Sequence, residues 1–220
     1  MVYVIIVNVT RECDNHIKCL EHLFSSSFYT VEVIDGHRCT EHEMMVQAVK
    51  MARRQDDDVL IIQSNSICYK EDIQHDVEQV LEANADIVSL CAYQDDCHRY
   101  RHFDDTMFYV DTIASTQALL LKHHVVELFY QELKIHESVA VALDKMIQNN
   151  QYKCMVMLPN VIEFDMRLAT SNEDYLKLNR CRIIQEEETE ATASEIVWVV
   201  LIAILLIFLI LTIPYFRNRR

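Results

Sequence analysis

Asp95-Asp96-Cys97-His98 and His102-Phe103-Asp104-Asp105 bring six hard or borderline metal ligands, four carboxylates and two imidazoles, within eleven residues. Carboxylate oxygens suit hard divalent ions and imidazole suits borderline ones, so cation binding is the chemistry this stretch could support. Its spacing matches no established ligand pattern, and Arg99 and Arg101 are interleaved as in a solvated loop. Asp95, Asp96, Asp104 and Asp105 therefore stand as metal candidates by composition alone. Asp56-Asp57-Asp58 is expected to be a solvated turn before a strand, and His123-His124 to open a helix and bind nothing. None of the ten histidines sits in a motif that pairs it with a serine or cysteine nucleophile. The eight cysteines include no CxxC pair and several lie inside apolar runs, which reads as free thiols in a reducing compartment.

Such residues act only where secondary structure gathers them. Val2 to Val9 is nearly continuous apolar and β-branched, the pattern of a strand covered on both faces. Cys13 to Phe24 carries Ile17, Leu20, Leu23 and Phe24 at helical spacing, and Tyr29 to Ile34 predicts a second strand. That strand ends at Asp35-Gly36, where the chain's only glycine is expected to supply a positive φ. Thr40 to Arg54 predicts a helix with Thr40 as N-cap and Glu43 completing a capping box. Asp58 to Ile62 predicts a third strand, Glu71 to Ala85 a helix and Asp86 to Cys91 a fourth strand, followed by an irregular polar stretch from Tyr93 to Asp105.

Phe108 to Leu121 contains more strand, and Val125 to Leu133 and Glu137 to Asn149 predict helices. Lys153 to Leu158 predicts a strand and Ser171 to Leu178 a short helix. Strands alternating with helices imply an α/β fold, a mostly parallel sheet with helices on both faces. Ligands in such sheets sit beyond the carboxyl ends of the strands, which draws attention to Asn8 to Arg11, Asp35 to His37 and Gln63 to Ser66.

Ile196 to Ile213 is an eighteen-residue run with Thr212 its only polar side chain. As a helix, Ile196 to Phe216 would reach about 30 Å, the thickness of a bilayer's hydrocarbon core. Ile196, Trp198, Leu205, Phe208 and Ile213 mark this expected membrane anchor, with the lipid bilayer as partner. The domain organisation follows: an α/β domain over 1–184, an acidic linker over 185–195, a transmembrane helix over 196–216 and a basic tail over 217–220. Before the anchor, 17 basic residues face 34 acidic ones, a balance of −17 that argues against a nucleic-acid partner. Arg217, Arg219 and Arg220 beside the anchor favour a cytosolic tail. Val2 to Val9 lacks the basic flank and cleavage site of a signal peptide, however, which favours a tail-anchored, single-pass protein with its domain in the cytosol. The Asn8-Val9-Thr10 sequon falls at a strand end, where a glycan would not fit.

The strand ends, taken in order, resemble glycosyltransferase family 25, the lipopolysaccharide- and collagen-type galactosyl and glucosyl transferases. YVIIVNVTR resembles that family's opening "YVINL-x-R", and VEVIDG at 31–36 is similar to its "V-x-A-I-D-G". EHEMMVQAVKMARRQDDDVLIIQSNS at 41–66 resembles the block ending in "VLVLEDDV", with His42 at the family's histidine. IASTQALLLKHHVVELF at 113–129 and MVMLPNVIEFD at 155–165 resemble two later segments. The resemblance covers most of Val2 to Asp165 and implies a GT-A-like fold. It makes Asn8, Arg11, Asp35, Gly36, His42, Gln63, Ser64 and Asn65 candidates for a nucleotide-sugar pocket.

In that family, carboxylates after the third strand hold a divalent ion against the diphosphate of a nucleotide sugar. Here that place reads Gln63-Ser64-Asn65, which is uncharged. A degenerate member is expected, with no cofactor, serving as a membrane-bound interaction or structural module for other membrane proteins. The alternative is an active transferase that uses manganese and a UDP-sugar on a protein or lipid acceptor, with Glu137 or Asp144 as base. The single glycine favours the first, since loops that let backbone approach phosphates usually need glycine. An adaptor of unrelated ancestry would show a different sheet order.

Overall fold

The computed structural model describes residues 1–9, 14–36, 39–67, 73–92, 101–113, 115–150, 152–158 and 160–164. The expected helix at Ser171 to Leu178, the linker, the anchor and the tail lie outside them. Among the described residues no helix is long and apolar enough to cross a membrane.

β1 (Val2–Asn8) is buried along its whole length and pairs in parallel with β2 (Tyr29–Asp35) on one side and β3 (Asp58–Gln63) on the other. Side chains alternate across a strand, so β1 feeds two cores. Tyr3, Ile5 and Val7 join a cluster with Met45, Val49, Phe129 and Leu143, drawn from α2 (Glu41–Ala52), α4 (His123–Ile135) and α5 (Val139–Asn150). Val2, Val4 and Ile6 join a cluster with Leu20 of α1 (Asp14–Leu23) and Ile73, Val77 and Val80 of α3 (Ile73–Glu82). Helices thus cover both faces, as the strand-helix alternation predicts.

The sheet itself is mixed. β5 (Ile87–Ser89), β6 (Arg101–His102), β7 (Met107–Val110), β8 (Ala118–Leu121) and β9 (Cys154–Met157) complete the eight-stranded order β2-β1-β3-β8-β5-β9-β7-β6. β8 runs antiparallel to both β3 and β5, and β7 runs antiparallel to β9 and β6. The expected parallel character holds for β1, β2 and β3 and for the β5–β9 pair. It fails at β8 and β7, whose neighbours β3, β5 and β9 come from elsewhere in the chain; only β6 and β7 are joined by a direct reversal. Arg101–His102 is also strand rather than irregular loop. Asp104 makes the reversal into β7, accepting hydrogen bonds from the backbone N–H of Thr106 (2.8 Å) and Met107 (2.7 Å). β4 (Ser66–Ile67) and β10 (Glu163–Phe164) form a separate two-stranded sheet.

α2 starts at the expected capping box. Glu43 N–H donates to Thr40 Oγ1 (3.2 Å) and Thr40 N–H donates to the Glu43 carboxylate (2.8 Å). The backbone N–H and hydroxyl of Thr40 hold the Glu43 carboxyl below its usual range. α4 has no cap from its own N-cap residue. Asp58 at the start of β3 supplies one, accepting from His123 N–H (2.9 Å) while its other oxygen pairs with Lys122 Nζ (3.0 Å). Asp58 is therefore a tertiary cap and not merely part of a solvated turn. His123-His124 opens α4 as expected, and His124 pairs with Asp86 at 2.8 Å.

Gly36 is required for a reason other than the one expected. Its backbone is not left-handed. A Cβ there would lie 2.1 Å from Met44 Sδ and 3.0 Å from the Asn8 carbonyl oxygen, so the glycine lets the end of β2 close against α2 and β1. Gly36→Ala is expected to destabilise the protein by about 1–3 kcal/mol through overpacking. Met44→Ala in the same chain should recover part of that loss, giving a non-additive cycle in urea denaturation.

Two groups buried in the sheet resist ionisation. Burial, followed by a hydrogen bond to Glu32 and its charge, pushes the Tyr3 phenol from 10.0 up to about 12. Burial, followed by the charges of Asp86 and Asp111, pushes the Cys154 thiol from 9.0 up to about 12. Each is favoured neutral in the folded state, so its contribution is complete below the unfolded value and is lost as pH rises towards the folded one. Stability measured by denaturant is expected to fall between pH 9.0 and about 12, with the lower part of that fall removed in Cys154→Ala.

Candidate functional site

The carboxyl ends of β1 and β3 are joined by Ser64, which is fully buried. Ser64 N–H donates to the Val7 carbonyl (2.8 Å), extending the β1–β3 pairing one residue past the strand. Its hydroxyl accepts from Val9 N–H (3.0 Å) and donates to Asn8 Oδ1 (3.3 Å). The Ser64 carbonyl accepts from Nδ1 of His16 on α1 (3.1 Å), which sets the proton on that nitrogen. Asn8 in turn receives Gly36 N–H on its backbone oxygen (2.9 Å), tying β2 to the same point.

Gln63 is equally enclosed. Its N–H donates to the Gln117 carbonyl (2.8 Å), and its amide Nε2 donates to Glu41 Oε1 (3.2 Å) with Thr116 oxygens at 3.4 and 3.5 Å. Thr116 Oγ1 donates to the same Glu41 oxygen. Beyond it, buried Ser115 donates to Gln117 Oε1 (2.6 Å), and buried Ser89 donates to the Cys91 carbonyl (3.0 Å) at the end of β5. A belt of neutral side chains thus runs under the strand ends from β1 to β5, with one carboxylate, Glu41, hydrogen-bonded into it from the first turn of α2.

His42 and Glu137 come together elsewhere. They share a cleft of about 470 Å³ with Glu41 and Glu43, between the start of α2 and the α4–α5 connection. His42 Nε2 donates to the Leu133 carbonyl in the last turn of α4 (2.7 Å). Asp144 does not line this cleft. It lies on α5 with Oδ1 buried and without a hydrogen-bond partner, and burial pushes its carboxyl up. Asp35 is at the exposed end of β2, opposite Asn8 in register. Arg11, Asp95 and Asp96 lie outside the described residues.

Asp104 and Asp105 sit at the β6–β7 turn, four strand positions from β3, which is about 19 Å across the sheet. Burial works to raise the Asp104 carboxyl, but the N–H groups of Thr106 and Met107 and the Thr106 hydroxyl outweigh it and hold the group low. It is thus occupied as a turn acceptor. Among the described residues no three His, Cys, Asp or Glu side chains converge as metal ligands would. At the strand ends, Gln63 Nε2 and the Ser64 hydroxyl are spent on protein partners. Asn65 Oδ1 is buried without a partner, a single neutral acceptor. A divalent ion beside a diphosphate needs several oxygens, carboxylates among them, and the described donor set does not fit one.

Sequence reasoning did not single out Glu41, Thr116 or His16. Glu41 was the most accessible of the three, being the acid directly after a predicted N-cap on the rim where strands end. Thr116 and His16 become visible only through contacts 53 and 48 residues away.

No family model matches the chain, and no curated protein matches its sequence. Among solved structures, a glycosyltransferase involved in the glycosylation of the major capsid of PBCV-1 superposes with a TM-score of 0.50 at 7% identity. The match covers 79% of this chain and 98% of that one. The fold is GT-A-like. Weaker likenesses are to A197 from STIV (TM-score 0.42, 15% identity, 71% of this chain and 81% of that one) and to 4-diphosphocytidyl-2C-methyl-D-erythritol synthase from Anaerococcus prevotii DSM 20548 (TM-score 0.44, 10% identity, 83% and 96%). At such identities the likeness concerns the backbone and carries no residue roles across.

Ser64→Ala is expected to cost about 1 kcal/mol, the net value of its hydroxyl bonds. Ser64→Asp should cost about 3 kcal/mol or more, because it buries a carboxylate against the Asn8 amide oxygen with no cation among the described neighbours. Chemical denaturation of both variants checks the order.

Proposed function

We propose that this chain is a membrane-tethered, glycosyltransferase-like module, related to family 25, that has given up metal-dependent sugar transfer and works through interaction or as structure. The observation that carries the reading is the complete burial of Ser64 at the position where the resemblance puts a metal-binding acid. A fully buried side chain that joins β1 to β3 by two hydrogen bonds is not presented to a ligand. Without clustered carboxylates to hold a divalent ion, a nucleotide diphosphate would meet the acids Glu41, Glu43 and Glu137 on the neighbouring rim. Tethering rests on Ile196 to Phe216, whose apolar length suits one bilayer crossing, with the domain facing the cytosol and other membrane proteins as partners.

A second reading keeps catalysis. Glu41 brings one carboxylate to the end of β3, and Glu137 lies in the adjoining cleft, so a transferase with altered metal use would draw on these two. The readings are separated by titrating the full-length chain in detergent with UDP and UDP-sugars, with and without manganese, while following melting temperature and UDP release. The proposed function predicts no manganese-dependent shift and no release above the buffer rate. Saturable manganese-dependent stabilisation with turnover, abolished in Glu41→Gln, would reinstate the enzyme.

A further inference from the structure

The two edges of the eight-stranded sheet are built differently. β6 closes one side with only two residues, Arg101 and His102, short and charged as guarded edges are. β2 closes the other with seven, YTVEVID, among them no lysine, arginine or proline. The charge at its centre is drawn inward, since the Glu32 carboxylate accepts a hydrogen bond from the Tyr3 hydroxyl.

The ladder fixes which backbone groups of β2 face outward. Val2 N–H donates to the Phe28 carbonyl (3.0 Å) and Gly36 N–H to the Asn8 carbonyl (2.9 Å), so in this parallel register the even-numbered residues of β2 turn their backbone groups to β1. Val31 and Val33 turn theirs away, and among the described residues those groups meet no partner. Val33 is 37% exposed, and Thr30 and Glu32 beside it are exposed as well. An uncovered strand of this length is a template for another strand.

We infer that β2 is the interface of a homodimer, in which the β2 strands of two copies pair antiparallel about a two-fold axis at Val33 and join the two sheets. Val33 then faces its own counterpart, a β-branched apolar pair, while Val31 faces Asp35 and Glu32 faces Ile34. Three axes keep both valines paired within the strand, at Val31, Glu32 and Val33. An axis at Glu32 sets two carboxylates opposite each other, which is repulsive. One at Val31 calls on Tyr29 N–H, already donated to the Ser26 carbonyl (3.1 Å). The Val33 axis avoids both. The interface lies at the sheet edge and does not depend on the proposed function.

The full-length protein in density-matched detergent is sedimented from about 1 to 100 µM. Dimer mass is expected at the upper end. Because a net charge of −14 per chain opposes association, the dimer should be at least about threefold tighter in about 0.5 M than in about 0.05 M salt. Val33→Lys and Val33→Pro should each weaken it about tenfold or more with circular dichroism unchanged, the proline deleting an outward N–H while sparing the β1 ladder. Val33→Cys tests the register without disrupting it. Cα atoms of a hydrogen-bonded antiparallel pair lie about 5.5 Å apart, within disulfide reach, so mild oxidation should cross-link this variant above the wild-type level. Val31→Cys, roughly 13 Å along the strand from its counterpart, should stay at that level. A monomer at about 100 µM, a dimer unchanged in both Val33→Lys and Val33→Pro, or equal cross-linking of the two cysteine variants would each overturn the interface. Association through the C-terminal apolar run would survive the β2 variants and so counts against it.

Discussion

A serine hydroxyl with no exposed surface holds the working end of this sheet together. β1 and β3 are parallel neighbours whose ladder would otherwise stop at Val7 and Gln63, leaving the next backbone groups without partners in the interior. The Ser64 side chain supplies one such partner by accepting Val9 N–H, and donates to the side-chain amide oxygen of Asn8. A longer acidic side chain would carry a second oxygen and a charge into the same enclosed volume. The neutral residue is thus a structural joint that leaves no carboxylate at this position.

Other ties converge on the same joint. Gly36 closes β2 against it, since a Cβ there would force the Met44 side chain to shift and crowd the Asn8 carbonyl. His16 fixes α1 to the Ser64 carbonyl, and Glu41 fixes α2 to Gln63 and Thr116. The opposite rim uses charge where this one uses neutral groups. There Asp58 caps α4 and holds Lys122, and Asp86 receives both Lys153 N–H and His124. Carboxylates at helix starts and turns gain from backbone N–H groups and oriented peptide dipoles.

In a GT-A-like fold the strand ends are where a metal and a phosphate would be expected to meet. Here the negative charge lies one step outward, on the first turn of α2 and the α4–α5 connection, and its inner oxygen is already hydrogen-bonded to protein. Among the described residues such a rim presents Glu41 and Glu137 rather than acids at the strand ends themselves. A shared backbone arrangement does not by itself fix where a fold carries its charge.

Much of the fold is legible in the chain by itself. Periodicity identifies β1, β2, β3 and all five described helices, because burial on one or two faces imposes a spacing that side chains must obey. The Thr40–Glu43 box is local, so its residues announce it. The absence of acids at Gln63-Ser64-Asn65 is equally a matter of reading. Tertiary structure alone decided that β7 and β8 run against their neighbours, since strand direction depends on how a link crosses the sheet and leaves no periodic trace. It alone decided that Gly36 serves close packing rather than a left-handed turn, and that Asp58 caps a helix 65 residues away. It also turned three neutral residues into an interior joint, because hydrogen-bond partners distant in sequence are chosen by the folded chain and not by neighbouring residues.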